Sequence, residues 1–289
     1  MSSRPVSSTC ASLGEGLLQS TTLNTGAGMP WLGLGVHKMG DDATTTTAVR
    51  TAIELGYRSI DTASLYGNER GVGEGVRSSG VDRKDLFVTT KLWNTDMRAD
   101  RQREAFAESL ERLGLEYVDL YLLHWPIAGK EVASWQVLTE LLESGRVKAI
   151  GVSNFMVPHL DRLRAESGIV PAVNQIEYHP YLQSRELLAV CRERGIQVEA
   201  WSPLMAGGRL LHEPVLTEIA ARHGKTVAQV VLRWDLQSGV VTIPKSKRPE
   251  RMRENAAVFD FELSPAEMRA IAALDRAERV GADPMNFHF

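Results

Sequence analysis

Two cysteines in 289 residues, Cys10 and Cys191, are too few for a disulfide-stapled scaffold and fit a reducing compartment. No apolar run is long enough to span a bilayer. The opening MSSRPVSSTCASLGEG lacks the apolar core of a secretory signal and reads as a flexible tail over residues 1–20. A formal net charge of -3 gives no pull toward nucleic acid or anionic membrane. The seven histidines, at 37, 124, 159, 179, 212, 223 and 288, show neither H-x-H nor H-x-x-x-H spacing. With no cysteine cluster beside them, they argue against a metal-dependent hydrolase. No linker divides the chain, so residues 21–289 are expected to form one domain, a soluble cytoplasmic monomer.

What is present is repetition. The strand-like runs WLGLGV, RSI, LFVTT, YVDLYLL, KAIGVSN, AVNQIEY, QVEAWS and VVTIP alternate with helical stretches such as TAVRTAIELG, REAFAESLERLG and ELLAVCRERG,. Eight strand–helix units with parallel pairing and right-handed crossovers close into a (β/α)8 TIM barrel of the α/β class. ELGYR, RLGLEYVD, SGRVKAIG and ERGIQVEAW share one joint: a helix end, a glycine suited to a left-handed cap, then a strand. Hydrophobic content of 43% suffices for the large core this requires,. Ahead of Trp31, LLQSTTLNTGAGMPWLG reads as an N-terminal β-hairpin capping the barrel floor, with NTGAG as its turn.

Three strand-like runs end in a polar residue: RSI in Asp61, LFVTT in Lys91 and YVDLYLL in His124. In such barrels, the carboxyl ends of the strands converge on the mouth where chemistry is done. Each residue alone has a plainer reading, as a cap, a solvated strand end or a core histidine. Together with Tyr66 they suit carbonyl reduction, in which carbon receives hydride and oxygen a proton. Tyr66 is the candidate acid, with an ordinary pKa of about 10 that a nearby ammonium, Lys91, lowers. Asp61 keeps the buried lysine charged, and a neutral His124 orients the carbonyl.

The hydride donor needs a phosphate site. GVGEGV from Gly71 does not open a helix after a strand, and so fails as a dinucleotide fingerprint. IPKSKRPERMREN instead sets Lys245, Ser246, Arg248 and Arg251 just past the last strand, where barrels build phosphate sites,. The plain alternative is a solvated basic turn capping a helix.

DTASLYGNE, LLHWP, GVSNF and IPKS occur in this order, and with them the chain resembles the aldo-keto reductase superfamily from about Leu23 onward. The resemblance implies an NADPH-dependent reductase of aldehydes and ketones with Asp61, Tyr66, Lys91 and His124 as its catalytic tetrad. It also implies that Ser153, Asn154 and Gln175 hold the nicotinamide carboxamide, that Trp201 stacks on the ring, and that Ser202, Pro203 and Leu204 follow the pyrophosphate. Lys245, Ser246, Arg248 and Arg251 would bind the adenosine 2′-phosphate, with Glu254 and Asn255 near the adenine. Trp201 and the ADPMNF ending look like the microbial branch containing 2,5-diketogluconate reductases and prostaglandin F synthases. His37, Trp93 and Trp125 match positions lining the substrate side of the mouth, over which the Phe287–Phe289 tail would fold. His37 departs from the usual aromatic hydrocarbon, and the short ending implies broad specificity. The rival reading is a non-turnover NADPH-binding protein of the same fold, redox-sensing or structural.

Overall fold

The computed structural model describes residues 13–287. Among them, ten strands occur: β1 (Ser20–Thr22), β2 (Gly28–Pro30), β3 (Gly33–Gly35), β4 (Ser59–Asp61), β5 (Phe87–Leu92), β6 (Val118–Leu123), β7 (Val147–Ser153), β8 (Val173–Glu177), β9 (Gln197–Trp201) and β10 (Val241–Thr242). The last eight pair in parallel in sequence order. A bridge between Leu32 and Thr242, with the Thr242 amide donating to the Trp31 carbonyl at 3.1 Å, joins the two ends of the sheet. This is the (β/α)8 barrel that the eight strand-like runs predict. The runs are rich in apolar residues because helices cover the outside while side chains fill the inside: every residue of β5 and of β6 is buried,.

The glycine joint is present as predicted. Helix Gln102–Leu113 ends on Gly114 with φ +61°, and the chain passes directly into β6; Gly195, with φ +68°, does the same before β9. A side chain at either position would be strained.

The predicted hairpin forms from β1 and β2, with Ser20 opposite Pro30 and Thr22 opposite Gly28. Its NTGAG turn is closed by the Leu23 amide donating to the Ala27 carbonyl at 2.9 Å. Leu23 and Met29 pack with Phe87, Leu120, Leu122, Ala149, Val173 and Val241. Thr21 Oγ1 donates to Gln197 Oε1 at 3.1 Å, and Asn24 Nδ2 to the Pro171 carbonyl at 3.1 Å. Both acceptors lie at the amino ends of strands, so the hairpin closes the floor and leaves the opposite mouth open.

The flexible tail predicted over residues 1–20 needs one correction. Residues 1–12 lie outside the described residues, but Leu13–Leu17 is helical and Leu17 is buried in the core. The packed chain therefore begins before residue 21, because Leu17 finds apolar cover in the core. No helix among the described residues is long and apolar enough to cross a membrane.

GVGEGV lies within helix Glu69–Arg77, as its exclusion as a nucleotide fingerprint requires. Its glycines are there for packing. A Cβ at Gly71 would sit 2.6 Å from the Asp42 carbonyl oxygen, and one at Gly73 would overlap the Leu113 carbonyl. Backbone cannot yield as a flexible side chain can. Gly73→Ala is expected to cost about 1–3 kcal/mol, measured by urea unfolding; an unchanged midpoint would show that the neighbouring helix ends give way freely.

Candidate active site

Strand alternation builds the site. Residues two apart point the same way, so Leu120 and Leu122, which pack in the interior cluster, carry His124 on the same face one step higher. Lys91 is the register partner of Leu122, and Asp61 of Thr89. At the carboxyl end of β4 the chain turns through Ser64–Tyr66, and this turn is pinned twice. Ser64 Oγ donates to the Lys91 carbonyl at 2.9 Å. Asn68 accepts from Thr62 Oγ1 at 2.8 Å and donates to the Val36 carbonyl at 3.0 Å. These bonds hold Tyr66 over the barrel.

Lys91 Nζ, in a fully buried side chain, donates to Asp61 Oδ1 at 2.6 Å, Asp61 Oδ2 at 2.8 Å and the Thr62 carbonyl at 2.8 Å; it lies 3.5 Å from Tyr66 Oη. The Tyr66 and His124 rings meet edge to face with centroids 5.7 Å apart. The four residues singled out for proton transfer thus converge on one point. Burial works against the Lys91 charge, but Asp61 and then Tyr66 outweigh it, and the ammonium is held above its usual pKa. Burial, then Lys91 and His37, push His124 well below the ordinary imidazole value, so it is neutral near pH 7. Its Nδ1 is buried without a partner.

Tyr66 corrects one expectation. Its net shift is upward, because burial exceeds the opposing pull of Lys91 and Asp61 adds to burial. The resting phenol therefore keeps its proton. What Lys91 provides is charge compensation as that proton leaves, not a ready-made phenolate.

Around this point the mouth is aromatic. Trp93 meets the His124 ring at 5.1 Å, and the exposed His37 ring lies 4.8 Å from that of Tyr66, so His37 faces the site. Half-buried Trp125 stacks on Phe287 at 4.0 Å with planes 6° apart. The terminal segment thus reaches the mouth as expected; Phe289 lies outside the described residues.

An anchor that sequence reasoning missed holds this segment. Buried Glu177, at the end of β8, accepts from the amides of Val280 at 2.6 Å and Gly281 at 3.0 Å and contacts His179 Nε2 at 3.0 Å. Burial opposes its charge, but His179 and the two amides outweigh that and hold its pKa below the usual range. Gly281 passes so close to Trp201 that a Cβ would fall 2.4 Å from the indole. The signal was present in VNQIEYHP, where Glu177 follows Gln175 by two on one face.

The residues matched to a nicotinamide site gather on the same rim, with partners of their own. Asn154, at φ +64°, accepts from the Trp201 indole N–H at 2.9 Å and donates to the His124 carbonyl at 3.0 Å. Ser153 Oγ donates to the Gln175 carbonyl at 2.9 Å. Gln175 turns its amide nitrogen inward, to Asp61 Oδ2 at 2.8 Å and Glu199 Oε2 at 2.6 Å. Asn154 therefore fixes the Trp201 ring, and Gln175 belongs to the charge network. After Trp201 the chain turns at Ser202, with φ +53°, into Pro203 and Leu204.

Beyond β10, Arg248 caps helix Pro249–Ala256. Among the described residues, Lys245, Arg248 and Arg251 are exposed and none makes an ion pair. Partial burial and then the charge of Lys247 hold Lys245 below its ordinary pKa, a like-charge crowding that an anion relieves. Ser246 Oγ accepts from the Arg248 amide at 3.1 Å and shapes the turn. Glu254 accepts from Thr226 Oγ1 at 2.8 Å, and Asn255 is buried. Cations without ion-pair partners at a helix N-terminus form a place where an anion can bind.

A closed parallel barrel with its ionisable residues gathered at the carboxyl-end mouth is the architecture of a barrel enzyme. Residues 31–276 match the aldo/keto reductase family model, and the chain belongs to that family; it is an oxidoreductase. It is 53% identical to glyoxal reductase of Bacillus subtilis over 93% of this chain and 97% of that protein. Methylglyoxal reductase DkgA of Escherichia coli is 47% identical over 92% and 96%. Among solved structures, a mutant of Gox0644 in complex with NADPH superposes with a TM-score of 0.89 at 44% identity, covering 94% of this chain and 99% of that one.

Proposed function

We propose that the protein reduces small aldehydes and ketones to alcohols with NADPH, 1,2-dicarbonyl compounds among them. The observation that carries this reading is the buried Lys91 ammonium bound to Asp61 at 2.6 Å and set 3.5 Å from the Tyr66 hydroxyl. Supporting it are the reduction of glyoxal and methylglyoxal named for two relatives at about half identity and the NADPH complex of a third. The few cysteines fit a cytoplasmic site of action, and Cys191 is a buried free thiol.

NADPH, when bound, supplies hydride to the carbonyl carbon. The chain does the rest. Arg248, Arg251 and Lys245 would hold the phosphate end, and Trp201 would offer its face beside the reacting centre. His124, being neutral, donates a hydrogen bond to the substrate oxygen and fixes its orientation. Tyr66 gives its proton to the same oxygen as the C=O π bond breaks, and Lys91 balances the phenolate left behind. Trp93, Trp125 and Phe287 provide an apolar wall that excludes water without a tight steric code, consistent with broad specificity.

The test is NADPH consumption on a panel of glyoxal, methylglyoxal, phenylglyoxal and simple aldehydes and ketones, with identification of the alcohol. Arg251→Ala separates the cofactor end. Losing a charge-assisted bond is expected to weaken NADPH about 10- to 100-fold, with NADH affinity nearly unchanged, in fluorescence titrations. Equal losses for both would mean that Arg251 does not read the 2′-phosphate.

A further inference from the structure

The reaction as described uses Asp61, Tyr66, Lys91 and His124 and leaves one ionisable group at the centre of the barrel unexplained. Glu199 lies in the middle of β9, is 1% exposed, and is the register partner of Gln175 on one side and Val241 on the other. Its Oε2 accepts from Gln175 Nε2 at 2.6 Å, and the same nitrogen donates to Asp61 Oδ2 at 2.8 Å. One amide thus bridges two carboxyl groups beneath the catalytic lysine. The ionisable groups facing Glu199 are Asp61 from β4, Lys91 from β5 and Tyr66 from the turn after β4. Val241 from β10 adds only apolar surface.

This arrangement holds one cation for two acids. With Glu199 uncharged, Lys91 and Asp61 balance and the buried cluster is neutral. With Glu199 ionised, the cluster carries a net negative charge where burial makes charge costly. A phenolate at Tyr66 would add a second negative charge, so giving up the proton becomes harder.

We propose that Glu199 is a positioning residue for carbonyl reduction: acting through Gln175 and Asp61, it takes part as an uncharged acid, and its ionisation slows proton donation from Tyr66. The proposal rests on the reading of Tyr66 as the proton donor. Its working range follows from the surroundings. Burial, reinforced by Asp61 and opposed by the Gln175 hydrogen bond and Lys91, raises the Glu199 pKa to about 8. The neutral form dominates below that value and the ionised form above it.

The test compares pH profiles of kcat/KM for NADPH-dependent phenylglyoxal reduction by the unaltered protein and Glu199→Gln, which keeps the acceptor but cannot ionise. The unaltered protein is expected to lose about tenfold between pH 7 and pH 9, and Glu199→Gln less than about twofold. Superimposed profiles would overturn the role of Glu199 while leaving the reduction intact. No NADPH oxidation by the unaltered protein at any pH would sink the reduction and this inference together. A readout independent of turnover and of the variant's folding is carbon-13 NMR of glutamate-labelled unaltered protein. One carboxyl should remain protonated at pH 7; ionisation of every glutamate carboxyl by pH 6 would overturn the proposal.

Discussion

Tyr66→Phe is expected to lower the rate of carbonyl reduction by about 10²–10⁴-fold while leaving both the fold and NADPH affinity nearly unchanged. The structure separates these effects. The hydroxyl lies 3.5 Å from Lys91 Nζ, the longest of the lysine's four contacts, and the other three go to Asp61 and the Thr62 carbonyl. Removing the hydroxyl therefore leaves no buried charge without a partner and deletes the only proton donor the mechanism assigns. Thermal unfolding, NADPH fluorescence titration and steady-state rates measured on one preparation check all three parts. Retention of most turnover would transfer the proton donation to another group, with His124 or a bound water the nearest candidates.

Lys91→Met is expected to fail in two ways at once. Its partner Asp61 has a side chain only 3% exposed, and removing the cation strands that carboxyl beside Glu199. Breaking a buried pair in this manner costs about 3–5 kcal/mol, and activity falls with it because nothing then balances the departing phenol proton. The double variant Asp61→Asn, Lys91→Met distinguishes the structural loss from the chemical one. With both charges gone, much of the stability should return in urea unfolding, but reduction should not. A single variant as stable as the parent would mean that Asp61 is protonated or solvated when alone; a double variant with restored turnover would remove the lysine from the chemistry.

Much of this molecule is readable from short-range physics. The eight strands show in the sequence because burial on both faces leaves short runs rich in apolar residues, and glycines such as Gly114 and Gly195 mark where helices hand over to strands. Asp61, Lys91 and His124 stand out because each is a polar residue ending such a run, and a barrel brings strand ends together. GVGEGV could be set aside as a nucleotide loop from its context, although its actual reason, a helix packed backbone to backbone against Asp42 and Leu113, depends on neighbours far along the chain. The direction of the Tyr66 shift was not legible either. Proximity to lysine predicts a fall, and only the amount of solvent removed decides that burial wins. Gln175 and Asn154 were assigned to a ligand on the strength of motifs; the partners they also hold, Asp61 and Glu199 for Gln175 and Trp201 for Asn154, lie on other strands and could not be read from those motifs. Glu199 left a trace, an acid inside a buried parallel strand, that required the register with Gln175 to interpret. Glu177 likewise left a trace, two residues after Gln175 on one face, whose meaning depended on the chain end returning to meet it.

The most direct test of the central claim is mass spectrometry of the alcohol formed from methylglyoxal with NADPH deuterated at the transferable C4 position of the nicotinamide. The account predicts one deuterium on the carbinol carbon, formed by the unaltered protein and about 10²–10⁴-fold more slowly by Tyr66→Phe. An alcohol without deuterium, or bound NADPH that yields no alcohol from any carbonyl offered, would contradict it.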